Sequence, residues 1–222
     1  MGLDEAHMPD DNHDTADDPE ADVPATSDMR ILQNAIVWTQ SAQDKRPARE
    51  AFFTRFVSEV VALGPRVKTI LELGSGPGFL AERLLRTCPQ LEYTLLDYSP
   101  AMHQLARERL GNLAKRAHFL EADLKDLRKA NQTTRFSCVV TMQAVHELRH
   151  KRHAPELHRA VRGLLALGGS YLVCDPFVSC DDEKTNSLFM TLREQRDALL
   201  VAGFTDVALL MQEAGLALYR AT

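Results

Sequence analysis

The sequence predicts an α/β fold: a seven-stranded, mostly parallel sheet with helices on both faces and an antiparallel last strand. Three observations carry that expectation. Short apolar runs alternate with amphipathic stretches through residues 65–222, the pattern of strands covered on both sides by crossover helices. The first apolar run ends in a glycine turn, Gly74-Ser75-Gly76-Pro77-Gly78, which opens a helix. The last two runs are separated by only Glu213 and Ala214, too short a joint for a crossover, so they form a hairpin.

Taken in order, residues 1–28 hold ten acids and no Lys or Arg, and cannot bury enough apolar area to offset the entropy of ordering. This segment reads as a disordered acidic tail, and it lacks the basic start and apolar stretch of an export signal. Residues 29–64 read as a helical cap. One helix is expected near 29–42, with Met29, Leu32, Ile36 and Trp38 on a shared side, and a second over 46–63, with Phe53, Phe56, Val57, Val60 and Val61 on one stripe. The core follows over 65–222, with strands expected near 67–73, 91–97, 115–120, 136–142, 170–175, 204–211 and 214–220. Helices are expected near 78–87, 100–111, 154–166 and 188–202. Gly168-Gly169 reads as the turn into the fifth strand.

The glycine turn carries chemistry. Glycine permits backbone angles and a close ligand approach that a Cβ would block, and the helix start presents bare amides to a polar ligand. A dinucleotide fingerprint spaces its glycines G-x-G-x-x-G. Here the third glycine falls one place early, and Phe79 stands where that pattern wants it. Glu72-Leu73-Gly74-Ser75-Gly76-Pro77-Gly78 instead resembles the first motif, E/D-x-G-x-G-x-G, of the Rossmann-like class I methyltransferases that use S-adenosylmethionine. The resemblance covers roughly residues 65–222. It implies a cofactor site containing Glu72, Gly74, Gly76 and Gly78, with Asp97 at the end of the second strand on the ribose hydroxyls and Tyr98 and Met102 against the adenine. The alternative reading of Asp97 is a helix cap before Ser99-Pro100. Asp123 would accept the adenine amino proton, Leu124 would cover the ring, and Gln143, past the fourth strand, joins the cofactor set.

Val145-His146-Glu147 resembles an aliphatic-His-His triplet that many small-molecule members carry after the fourth strand. His146 is accordingly the candidate general base and substrate contact, because imidazole titrates near neutrality, with pocket lining and backbone hydrogen bonding as its other readings. Trp38 and Phe177 are further substrate candidates, with Phe189 and Met190 beside Phe177 in the segment 176–190. The expected reaction is metal-independent methyl transfer to oxygen or nitrogen of a small organic molecule, placed in secondary metabolism by association alone. A D/N-P-P-Y/F tetrad, a Pro-Cys nucleophile and a carboxylate cluster for magnesium are all missing from their places.

The other readings are an RNA methyltransferase and a cofactor-binding regulatory subunit without turnover. Arg149 to His153, with Arg159 and Arg162, form a basic run, but Arg159 and Arg162 alternate with apolar residues as a solvated helix face does. Nucleic acid is therefore not the expected partner; a small-molecule methyl acceptor is, in a monomer or homodimer. No window approaches the length of a membrane span. The formal net charge of −5 is unevenly shared, since residues 29–222 carry 21 acids against 26 bases. Cys88, Cys138, Cys174 and Cys180 form no C-x-x-C pair and read as apolar residues of a cytoplasmic, reducing environment.

Overall fold

The computed structural model describes residues 21–42, 46–127, 134–179 and 187–222. Expectations for residues 1–20 of the tail and for Cys180 lie outside the described residues. Two helices, α1 (Leu32–Ser41) and α2 (Arg49–Ala62), precede the alternating core. The core runs β1 (Thr69–Leu73), α3 (Phe79–Thr87), β2 (Glu92–Asp97), α4 (Pro100–Leu110), β3 (Ala117–Glu121), β4 (Phe136–Met142), α5 (Ala154–Leu164), β5 (Leu165–Val178), β6 (Met190–Thr191), α6 (Leu192–Val201), β7 (Val207–Glu213) and β8 (Leu216–Ala221).

The sheet order is β3-β2-β1-β4-β5-β8-β7, with β6 paired to β5. β1 to β5 are parallel, and β8 is antiparallel to both β5 and β7. The order reverses between β1 and β4, which leaves a crevice at their C-terminal ends where open α/β sheets place ligands. Alternation along the central strands fills two cores. Ile70, Cys138 and Val140 face α2, α3 and α4, while Leu71, Leu73 and Val139 face α5 and α6.

Several expectations need correction. The sheet has eight strands, because Met190 and Thr191 add a two-residue β6 beside Phe177 and Val178; so short a run has no period to reveal it. Gly168-Gly169 does not separate a helix from the fifth strand. It lies in a bulge within β5, where the pairing jumps from Phe136–Leu165 to Cys138–Ser170. The last hairpin turns on Ala214-Gly215, at φ 47° and 75°, because this two-residue turn takes positive φ at both central residues. On α2, Phe52 is buried and Val61 is half exposed, a rotation of the expected stripe. On α1, Leu32 is exposed and Ala35 is the residue that packs inward.

Residues 21–28, within the expected tail, lie against the body. Val23 N–H donates to the Arg149 carbonyl at 2.8 Å, and Arg149 Nε and Nη2 donate back to the Val23 and Pro24 carbonyls. Asp22 accepts from Lys125 Nζ at 2.5 Å and lies 2.8 Å from His153 Nε2. An acid on an otherwise acidic segment thus finds cations far away in sequence, and its pKa falls to about 2, chiefly through the Lys125 hydrogen bond.

Candidate active site

A cavity of about 320 Å³ opens in the crevice between β1 and β4. Its floor begins with the glycine turn. Gly74 has φ +62° and lies so close to Ala144 that a Cβ would stand 2.3 Å from the Ala144 Cβ. Gly76 has φ +52°, and its N–H donates to Asp97 Oδ2 at 2.7 Å. Gly78, at φ +77°, caps α3, and its missing side chain lets Ala106 of α4 approach. Gly78 therefore shapes the turn without lining the cavity.

Asp97 stands beside the start of α4 without capping it. Its Oδ1 accepts from the Ser99 N–H at 2.9 Å, but Ser99 itself caps α4, taking the Met102 N–H at 3.0 Å with Pro100 in the first turn. Asp97 is buried, which raises its pKa, and it lines the cavity beside Tyr98. The Tyr98 hydroxyl accepts from the Met29 N–H at 3.3 Å, and Ser99 Oγ donates to the Met29 carbonyl at 2.6 Å. These bonds bring Met29 and the lead-in, Ala25 to Ser27, over the mouth. Met102, Asp123 and Leu124 complete this side, with Asp123 Oδ1 accepting from the Lys125 N–H at 2.8 Å.

On the other side, Glu72 is 3 % exposed and accepts from the Tyr93 hydroxyl at 2.9 Å. Burial pushes its pKa up to about 8, and the Tyr93 bond only partly opposes this. Trp38, Phe53 and Phe79 wall the same region, and Arg49 projects among them. Gln143 follows β4 in a left-handed conformation, φ 59°, held by its N–H to the Cys174 carbonyl at 2.7 Å. Its Oε1, like Ser75 Oγ, is buried with no hydrogen-bond partner among the described residues. Native interiors rarely leave such atoms orphaned, so both are available to a ligand.

His146 and Phe177 are not brought to the cavity. His146 Nδ1 lies 3.0 Å from Asp175 Oδ1, its N–H donates to Asp175 Oδ2 at 3.0 Å, and its Nε2 lies 3.3 Å from Glu147 Oε1. Burial alone would lower its pKa, but the two carboxylates overcome that and hold it at about 10. With both ring nitrogens beside carboxylates, the imidazolium form is a donor rather than a base. Phe177 is drawn instead into the β5–β6 pairing and the α5–α6 core; Met190 packs there too, and Phe189 lies against His146. Glu147 is the residue that faces the cavity, and the His146 hydrogen bond keeps its pKa below the ordinary value.

The basic run is largely knitted into the structure. Arg149 fastens residues 23 and 24, Lys151 pairs with Glu194 at 2.7 Å, and Arg152 and His153 reach Asp22. Among the described residues, no group of three or more His, Cys, Asp or Glu is gathered as a metal site.

Residues 70–169 match the family model described as "Methyltransferase domain". Residues 70–169 are thus similar to a methyltransferase domain. The chain is 37% identical over 57 residues to malonyl-[acyl-carrier protein] O-methyltransferase 1 of Ilyobacter polytropus, a match covering 26% of this chain and 21% of that protein. Its fold is shared with an O-methyltransferase family protein of Burkholderia thailandensis, at TM-score 0.64 and 22% identity, over 82% of this chain and 61% of that one. It is shared too with human N-acetylserotonin methyltransferase in complex with SAM, at TM-score 0.64 and 16% identity, over 87% of this chain and 56% of that one. The chain thus spans a fifth of the length of the first relative and about three-fifths of the Burkholderia protein. No described helix is long and apolar enough to cross a membrane.

Arg49 and Glu147 were not among the sequence-predicted site residues, and each left a signal. Arg49 precedes Phe52, Phe53 and Phe56 by three, four and seven positions, which puts it on their buried stripe. Glu147 immediately follows His146, and only the fold of the helical turn over Val145–Leu148 decides which of the two turns to the cavity.

Proposed function

We propose that the protein transfers a methyl group from S-adenosylmethionine to an oxygen or nitrogen of a small organic acceptor, without a metal ion. The supporting observation is that Glu72, Gly74, Gly76, Asp97, Asp123 and Gln143, drawn from four separate stretches of chain, surround one cavity. The likeness to a methyltransferase domain supplies the class of chemistry, and the cofactor fits the residues present. Asp97 gives one acceptance per oxygen to Gly76 and Ser99 and retains a lone pair on each for ribose hydroxyls. Tyr98, Met102 and Leu124 would enclose the adenine, with the free Asp123 oxygen toward its amino group. Ser75 Oγ and Gln143 Oε1, orphaned and buried, would meet the amino-acid end.

When bound, the sulfonium supplies an already activated methyl group. The chain's part is then to position the acceptor and exclude water, which contributes up to about 7–11 kcal/mol in favourable intramolecular cases. Trp38, Met29 and Met142 make the acceptor side apolar, while Glu147, ionised, accepts a hydrogen bond or proton from the acceptor's N–H or O–H. His146 takes no proton; it fixes Glu147. Metal independence is supported by Asp175, whose two oxygens both engage His146 rather than an open coordination site. We place the enzyme in the cytoplasm and in secondary metabolism on its buried free Cys88, Cys138 and Cys174 and its likeness in fold to N-acetylserotonin methyltransferase.

The test is incubation with methyl-labelled S-adenosylmethionine and a panel of small phenols, carboxylic acids and amines. Label in one acceptor together with S-adenosylhomocysteine supports the proposal; cofactor binding with no transfer to any acceptor contradicts it.

A further inference from the structure

We infer that Arg49 reads the α-carboxylate of the cofactor's amino-acid end, and that the cavity selects its ligand by that group. The inference rests on the S-adenosylmethionine reading and adds to it a residue outside the glycine motif.

Arg49 opens α2 and is 5 % exposed, yet it lines the cavity beside Glu72 and Gly74. Its guanidinium carbon lies 5.3 Å from the ring centroids of Phe53 and Phe79 and 5.5 Å from that of Trp38. The aromatic faces hold the cation but leave its donors unmet. Nε is buried without a hydrogen-bond partner, and no carboxylate among the described residues pairs with the group. Other arginines near α2 and α3 behave differently: Arg83 pairs with Glu50, Arg55 with Glu59 and Arg86 with Glu82.

Glu72 is the acid beside Arg49 on the cavity wall, but its Oε2 is taken by Tyr93 and burial keeps it largely protonated near neutrality. Burial lowers the Arg49 pKa only to about 10, so the guanidinium stays charged. A buried cation with donors and no acceptor capacity calls for an anion, and a planar fork suits a carboxylate. Asp97, Asp123 and Glu147 occupy the other walls, so Arg49 marks the end of the cavity where the ligand is negative.

The experiment is isothermal titration with S-adenosylmethionine and with decarboxylated S-adenosylmethionine, which keeps the nucleoside, sulfonium and amine. The wild type is expected to prefer the carboxylated compound by roughly 10- to 100-fold, the worth of a charge-assisted hydrogen bond. Arg49→Met should abolish that preference while binding the decarboxylated compound equally well or more tightly. Arg49→Lys, which keeps the charge without the fork, should fall between, and decides the matter together with the wild type should Arg49→Met not fold. A preference unchanged in the variants, or none in the wild type, overturns the role of Arg49. A wild type that binds neither compound overturns the cofactor reading itself.

Discussion

His146 is clamped to Asp175 at two points, ring Nδ1 to Oδ1 and backbone N–H to Oδ2, each at 3.0 Å. The clamp ties the tip of β4 to β5 and turns the imidazole that the sequence offers as a base into a fixed cation. Nitrogen-detected NMR should therefore show His146 still doubly protonated at pH 8, and Asp175→Asn should bring its titration down toward the ordinary range. Because the folded pKa lies above the ordinary 6.5, the stabilisation is complete below that value and fades as pH rises toward about 10. His146→Asn should thus cost about 1–3 kcal/mol in urea unfolding at pH 6 and distinctly less at pH 9.5. A pH-independent cost would contradict the clamp.

Glu72 shifts in the same direction for a different reason, burial of its carboxyl. Its folded pKa is raised from 4.5 to about 8, so the folded state holds a proton that the unfolded state releases, and stability falls as pH rises through that window. Without ligand, Glu72→Gln should remove the decline, and its melting temperature should exceed the wild type's increasingly from pH 5 to pH 8.5.

The two glycines on the cavity floor should respond differently to a methyl group. Gly74→Ala drives a Cβ into Ala144 at a positive φ and should destabilise the fold by about 1–3 kcal/mol. Gly76→Ala meets nothing within 4 Å, so it pays chiefly the left-handed strain of about 1–2 kcal/mol while intruding on the ligand. Differential scanning calorimetry should rank Gly74→Ala the less stable, and titration should show Gly76→Ala folded but weakened for the cofactor.

Asp22 holds one end of the segment that carries Ala25 to Ser27 over the cavity. Asp22→Asn should speed release of S-adenosylhomocysteine in stopped flow by about two- to fivefold, in keeping with an exposed pair, and the difference should shrink at high salt. Equal rates at low salt would show that the segment does not gate the cavity.

The order β1 to β5, the glycine turn and the last hairpin were legible because each has a local signal: apolar runs, glycines at fixed spacing, a two-residue joint. So was the Ser99-Pro100 helix start. What sequence could not supply depends on distant partners. Residues 21–28 are settled by Arg149, Lys125 and His153, more than a hundred positions away, and His146 is settled by Asp175, on the next strand of the sheet. Phe177 looked like acceptor lining because nothing local announces β6.

The most direct test of the central claim is calorimetric titration of S-adenosylhomocysteine into the wild type and Asp97→Ala. The account predicts one site per chain in the wild type and a loss of roughly tenfold or more in the variant. No binding by the wild type, with uptake of a nicotinamide or flavin nucleotide in its place, would contradict it.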